Sequence, residues 1–162
     1  MKRFLVPAAV ITFLAANAVI LSDSCIFLTM ACKRMEADGK AVTETANRVQ
    51  QVHYFERGKF IESMDALDIG VKPQMNWYAH SMQVTPTSAF FYAVPTGKMA
   101  SFRRGYVGAV FPNKASKDDI DNVPLEIVCE AVGRKAILKI KPLLQNGSPT
   151  CPEGSVQTKR PR

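Results

Sequence analysis

Asn47-Arg48-Val49-Gln50-Gln51-Val52-His53-Tyr54-Phe55-Glu56-Arg57-Gly58-Lys59-Phe60 is where the pattern of the chain changes. It reads as the last turns of an amphipathic helix, closed by Gly58, since glycine accepts the left-handed conformation that ends helices. Upstream lies one long helical pattern rooted in an apolar N-terminus; downstream lie short β patterns. Val42, Ala46, Val49 and His53 fall at i, i+4, i+7 and i+11, a helical stripe. Val52 and Phe55 widen it, while Glu44, Arg48, Gln51 and Arg57 lie off it. From Lys33 to Gly58 only Asp38-Gly39 interrupts helical composition, as a kink or as a true start. A helix is expected over about 39–57.

Further upstream, Met1-Lys2-Arg3 is a charged start, and Phe4 to Leu21 is almost wholly apolar, broken by Asn17. A run of ~20 apolar residues crosses a bilayer as a helix or serves as a signal peptide. Ser22-Asp23-Ser24-Cys25 interrupts it, Ile26 to Ala31 is apolar again, and Cys32-Lys33-Arg34 ends the region. Asp23 would be costly at mid-bilayer, so the reading is a span at about 4–21 with an interfacial continuation. Lys2 and Arg3 favour a cytoplasmic start and an exported C-terminal part. Three fates compete: an uncleaved signal-anchor, cleavage at Ala16-Asn17-Ala18, and lipidation. For the last, Cys32 in Thr29-Met30-Ala31-Cys32 is the candidate residue.

The four cysteines are Cys25, Cys32, Cys129 and Cys151. On a helix, the seven-residue spacing of Cys25 and Cys32 corresponds to ~10 Å of rise, beyond the ~7 Å that a disulfide tolerates. Cys129 sits near the end of an expected strand and Cys151 in a Pro/Gly-rich loop. An exported compartment permits disulfides, and pairing these two would staple the C-terminal segment to the sheet. A closed loop of this size contributes about 3 kcal/mol in the chain-entropy model. If Cys32 were the lipidated first residue of the mature chain, Cys25 would leave with the leader.

Downstream of Phe60, residues 60–70 read as one or two helical turns ended by Gly70, with Phe60, Met64 and Leu67 on one docking face. The period then changes. Residues 76–84, 88–94, 105–111 and 124–132 have strand composition. In the last of these, Leu125, Ile127, Cys129 and Ala131 share one face, and Glu126 and Glu130 the other. Turn signals fall at Thr85-Pro86-Thr87, Pro95-Thr96-Gly97, Pro112-Asn113 and the acidic 117–122. Short strands with tight connections argue an antiparallel meander. Lys135 to Leu144 is ambiguous between strand and extended linker, and Pro142 counts against a central strand. Asn146-Gly147 signals a turn. Ser148 to Gln157 is expected as a loop held by Cys151, and Lys159 to Arg162 as a mobile basic tail.

The chain has 162 residues, 47% apolar and 22% charged, enough for one domain plus a leader. Its net charge of +7 is compatible with anionic lipid, nucleic acid or an acidic partner. Basic clusters occur at Arg103-Arg104, Arg134-Lys135 and the tail, but no basic stripe with interleaved aromatics marks a nucleic-acid face. There is no phosphate loop, dinucleotide fingerprint or paired-cysteine metal knuckle. His53 and His80 lie on different elements, and packing explains His53 better than ligation. Asp118, Asp119 and Asp121 lack the glycine turn and terminal Glu of a calcium loop, so a solvated loop is the simpler reading. Trp77, Tyr78, Phe90, Phe91 and Tyr92 could line a binding surface; in strands of a small sheet, core packing is the better expectation. No catalytic, cofactor-binding or metal-ligating residue and no small-molecule substrate is expected.

The layout of an apolar helix, continued by an amphipathic helix against a small antiparallel sheet with a C-terminal disulfide loop, resembles type IV pilins and pseudopilins. The local sequence is most similar to the cyanobacterial type IV pilin-like G/H family. The matching residues are Asn47-Arg48, Gln50-Gln51, Tyr54-Phe55-Glu56, Gly58-Lys59-Phe60, Leu67 and Ile69-Gly70-Val71-Lys72. They continue with Tyr78, Ala93-Val94-Pro95, Tyr106-Val107-Gly108-Ala109-Val110-Phe111, Ile127-Val128-Cys129-Glu130 and Cys151-Pro152-Glu153-Gly154-Ser155. No single motif is specific; their order and spacing over about 39–156 are. The leader departs from the pattern: pilins carry a Glu at the fifth residue of the apolar run, and Phe4 to Leu21 has none. That argues against processing by a prepilin peptidase and against the usual helix-bundle packing.

The resemblance implies an α+β, pilin-like fold, a long N-terminal α-helix packed on a small antiparallel β-sheet of about four strands. The expected organisation is a leader or membrane anchor at 1–32, a head at 33–158 and a tail at 159–162. The implied function is that of a non-enzymatic minor pilin or pseudopilin on the exported side of the inner membrane or at the cell surface. It would serve filament or secretion-machinery assembly, or adhesion. Its partners would be other pilin-like subunits or envelope proteins. The alternative is a membrane-tethered lipoprotein-like module that holds an envelope protein, a polysaccharide or DNA.

Overall fold

The structure, a computed structural model, describes residues 8–75, 77–113 and 122–159, with side chains from Met30 on apart from Met75 and Arg134. The chain divides into two compact units, Met1–Met35 and Glu36–Arg162. Helix α1 (Ala8–Arg57) contributes its residues up to Met35 to the first and those from Glu36 on to the second. Among the described residues no helix is long and apolar enough to cross a membrane. The stretch 4–21, on which the anchor expectation falls, and Cys25 lie outside the residues whose side chains are described. So do the acidic cluster Asp118, Asp119 and Asp121 and the tail beyond Lys159. Cys32 is half-buried and forms no disulfide.

The second unit is an antiparallel sheet with α1 across one face. Four eight-residue strands form its body: β2 (Tyr78–Thr85), β3 (Ser88–Pro95), β4 (Arg104–Phe111) and β5 (Leu125–Val132). Two-residue strands extend both edges, β1 (Gln74–Met75) beside β2 and β8 (Val156–Gln157) beside β5. The order is β1-β2-β3-β4-β5-β8, so the expected meander holds and gains two short edges. Strand β3 is buried along its whole length, as its unbroken apolar run requires of a central strand. Register sets the faces. Gly108 pairs with Val128 and Phe91, and these, with Ala89, Ala93, Tyr106 and Val110, share the side on which α1 lies. Phe90, Tyr92, Val107, Ala109, Ile127, Cys129 and Ala131 form the opposite core.

After α1, Gly58 takes φ 68° and its amide donates to Tyr54 O at 2.8 Å, ending the helix. The Tyr54 and Phe60 rings then stack with centroids 4.4 Å apart. The expected docking turn is the single turn α2 (Met64–Leu67), capped by Ser63, whose hydroxyl accepts from Ala66 N at 3.1 Å. Leu67 is buried with Ile61, Ala46 and Phe91, whereas Phe60 belongs to a separate cluster with Ala89 and Val110. Between β3 and β4 runs a 3-10 turn, η1 (Ala100–Phe102).

Two expectations need correction. Lys135 to Leu144 is a strand only at Leu143 and Leu144, and what precedes them is not an extended linker. It begins with a helical turn, α3 (Arg134–Ile137), which seats Ile137 and then Ile140 in the core opposite α1. Strand β6 (Leu143–Gln145) follows and pairs with β7 (Ser148–Thr150). Asn146 (φ 50°) and Gly147 (φ 77°) turn that hairpin, the conformation that Asn-Gly favours. Pro142 is tolerated because it precedes the hairpin. Second, Ser148 to Gln157 is not a loop throughout: β7 and β8 lie within it, on either side of Cys151, which is bonded to Cys129 with Cα atoms 5.7 Å apart.

Candidate functional site

Helix α1 carries two strips on opposite sides, and the stripe read from apolar spacing shares only Ala46 with the buried one. The buried strip is Thr43, Ala46, Asn47 and Gln50, all 2% exposed or less. Asn47 Nδ2 donates to Ile127 O at 3.0 Å. Gln50 bonds Ile61 twice, Nε2 to the carbonyl and Oε1 from the amide, both at 2.9 Å. Gln51 Nε2 donates to Pro124 O at 2.5 Å. These carboxamides bond backbone groups of β5, its entry and the segment after Gly58, and so pair the amides that the helix buries. The helix thus centres its buried side on Thr43, Ala46, Asn47 and Gln50; Val42 and Val49 flank it, packed against the Ala46, Ile61, Leu67 and Phe91 cluster, and His53 is half-buried. It also passes through Asp38-Gly39 without a break, because Gly39 lets the Tyr78 ring lie against the helix backbone.

The outward strip is Ala41, Thr45, Arg48, Val52 and Phe55. Val52 and Phe55, expected to widen the buried stripe, are 52% and 53% exposed. Beside them lies a shallow groove of about 280 Å³ bounded by Arg48, Val49, Val52, His53, Glu56 and Ile61. Two half-exposed apolar side chains flanked by Arg48, Glu56 and Arg57 form a surface with an apolar centre and a charged rim, the composition of a protein-docking patch. Among the described residues no group of three His, Cys, Asp or Glu side chains is placed to hold a metal ion.

The remaining sequence candidates are placed as follows. Tyr78, Phe90, Phe91 and Tyr92 are core residues; Trp77 is 48% exposed. His80 is buried between the Tyr78 and Phe91 rings (centroids 6.3 and 5.7 Å), its Nδ1 has no hydrogen-bond partner, and burial lowers its pKa. Tyr106 lies deep in the α1 side of the sheet, where burial above all, then Tyr78 and the Glu36 and Glu130 carboxylates, raise its pKa. The basic pair Arg103-Arg104 is not a free cationic patch. Arg103 is 2% exposed, and its guanidinium donates to the carbonyls of Thr96, Trp77 and Met99. Arg104 pairs with Glu130. Arg103 is thus withdrawn from the surface, while Arg104 stays half-exposed beside Glu130. Sequence reasoning missed the role of Arg103 because its partners are backbone carbonyls of a loop, which leave no mark in residue type.

The segments that carried the family resemblance converge in space. Asn47 meets Gly108, Tyr54 meets Phe60, and Cys129 meets Cys151. Neither a curated protein nor a solved structure matches the chain. Residues 36–152 match the profile of type IV pilin-like G and H proteins. The chain therefore belongs to that family, which is structural rather than enzymatic and implies an envelope- or pilus-associated role alongside other pilin subunits.

Proposed function

We propose that this protein is a minor pilin-like envelope subunit, anchored by its apolar stretch 4–21 and contacting partner subunits through the Arg48–Val52–Phe55 strip of α1. Residues 1–32 form the anchor, 33–158 the head and 159–162 a basic tail. The head sits on the exported side of the membrane and serves filament or secretion-machinery assembly. The observation that supports this reading is the outward strip: Val52 and Phe55 are half-exposed on the side of α1 away from the sheet, where a partner would cover them.

Single cysteines at Val52 and Phe55, cross-linked in cells, test it. Adducts with other pilin-like subunits are expected, lost when Phe55 is replaced by Ser. Fractionation with and without a prepilin peptidase should leave the protein in the membrane in both cases. Recovery as a freely soluble protein would remove the anchor, and absence from sheared filaments the filament role alone.

A second reading is a lipoprotein-like binding module, and it rests on Cys32, which forms no disulfide and is partly accessible. A diacylglyceryl mass on Cys32 at the mature N-terminus would favour it; an intact Met1 start favours the anchor.

A further inference from the structure

One end of the sheet gathers the start of β2, the end of β3, η1, the start of β4 and the end of β5. It displays Trp77 at 48%, Met99 at 46% and Phe102 at 72% exposure, with Lys98 exposed between them in sequence. Lys135 and Lys139, on α3 and the turn after it, are exposed beside η1. These apolar side chains are not on a loose loop. The buried Arg103 guanidinium donates to Trp77 O at 3.4 Å, to Met99 O at 3.5 Å and to Thr96 O, and lies 5.6 Å from the Trp77 ring centroid. Thr96 N donates to Trp77 O at 2.9 Å, and Gly133 N to Arg103 O at 2.9 Å.

We propose that this end of the head, Trp77-Met99-Phe102 with Lys98, Lys135 and Lys139, rests in the headgroup region of an anionic bilayer. Three features favour lipid over a protein. First, Arg103 caps three carbonyls of this end, those of Trp77, Thr96 and Met99, from the inside, so the outer surface can leave water without stranding them. Second, tryptophan and phenylalanine beside lysines are the side chains that partition to a membrane interface with anionic lipid. Third, chain connectivity keeps lipid near. Glu36 Oε1 accepts from Arg104 N at 3.0 Å at this same end. The apolar run Ile26 to Ala31 stops five residues earlier, a reach of at most about 18 Å even fully extended. This last feature rests on the anchor reading above; the first two do not.

Trp77 is the only tryptophan of the chain, so its fluorescence reports this patch alone. The full-length protein is incorporated into phosphatidylcholine vesicles with and without phosphatidylglycerol, and into the same vesicles carrying lipids brominated near the headgroup end or near the methyl end of the acyl chain. The expected result is a blue-shifted emission in the anionic vesicles, quenched strongly by shallow bromines and weakly by deep ones. Phe102→Asp and the triple change Lys98→Glu, Lys135→Glu, Lys139→Glu should each remove most of that quenching while leaving the Cys129–Cys151 bond formed. Emission that stays water-exposed overturns the proposal, as does a blue shift without bromolipid quenching, which would assign the patch to a protein partner. A carbonate wash separates the two readings. Wash-resistant flotation without Trp77 quenching overturns the head contact and keeps the anchor; quenching with wash-sensitive flotation does the reverse.

Discussion

Asn47 of α1 occupies the hollow that Gly108 leaves in the middle of β4. A Cβ on Gly108 would come within 2.8 Å of Asn47 Cγ and 2.9 Å of Thr43 Cγ2. From that hollow the Asn47 amide reaches Ile127 O on the next strand. The pair sets how closely helix and sheet approach. Gly108→Ala should destabilise the head by about 1–3 kcal/mol through overpacking. Asn47→Ala should cost a similar ~1–3 kcal/mol by removing a buried amide bond and leaving a small cavity beside Gly108. Because the second change vacates the space the first needs, the double variant should lose less than the sum. Denaturant melts of the four proteins check this.

Cys129→Ser should lower the melting temperature of the oxidised protein. The bond spans a sequence separation of 22 and ties the segment before β8 to β5. The chain-entropy expectation is a loss of about 3 kcal/mol. The same loss should follow reduction of the wild type and be absent on reduction of the variant.

Arg103→Ala should cost about 2–3 kcal/mol, because three loop carbonyls lose a charged donor. Arg103→Lys should restore little of it, since an ammonium cannot span acceptors arranged for a planar guanidinium. Amide hydrogen exchange in residues 96–103 should rise in both variants.

His80 should make the head less stable in mild acid. Its folded pKa is lowered from 6.5 by burial. Above about pH 6.5 the imidazole is neutral in both states and contributes no pH dependence. Below it the unfolded chain takes up the proton while the folded one resists, so stability falls as pH drops toward the lowered folded value. His80→Phe should flatten the melting temperature between neutral pH and pH 5 relative to wild type.

Tyr106 acts at the other end of the scale. Its folded pKa is raised, so the unfolded chain loses the phenolic proton first as pH climbs past 10. Stability should fall above that pH, and Tyr106→Phe should remove that component, read by alkaline melts of the two proteins.

Elements with strong local chemistry were legible in the residues alone. Gly58 as helix end, the unbroken apolar run of β3, the alternation of Leu125, Ile127, Cys129 and Ala131, and the Asn146-Gly147 turn all follow from short-range rules of backbone conformation and side-chain period. Tertiary structure decided the rest. Apolar spacing placed Val42, Ala46, Val49 and His53, widened by Val52 and Phe55, on the buried side; Ala46 is buried and Val42 and Val49 pack at its flank, but Thr43, Asn47 and Gln50 share that side while Val52 and Phe55 face solvent. Periodicity records where apolar matter would be covered; it does not record that Ile127, 80 residues away, offers the buried Asn47 amide an acceptor. Arg103 was legible as a surface cation and is a buried clamp for the same reason. Lys135 to Leu144 was ambiguous until Ile137 and Ile140 found their places in the core. In each case the deciding partner is a backbone group or a cavity supplied by a distant strand.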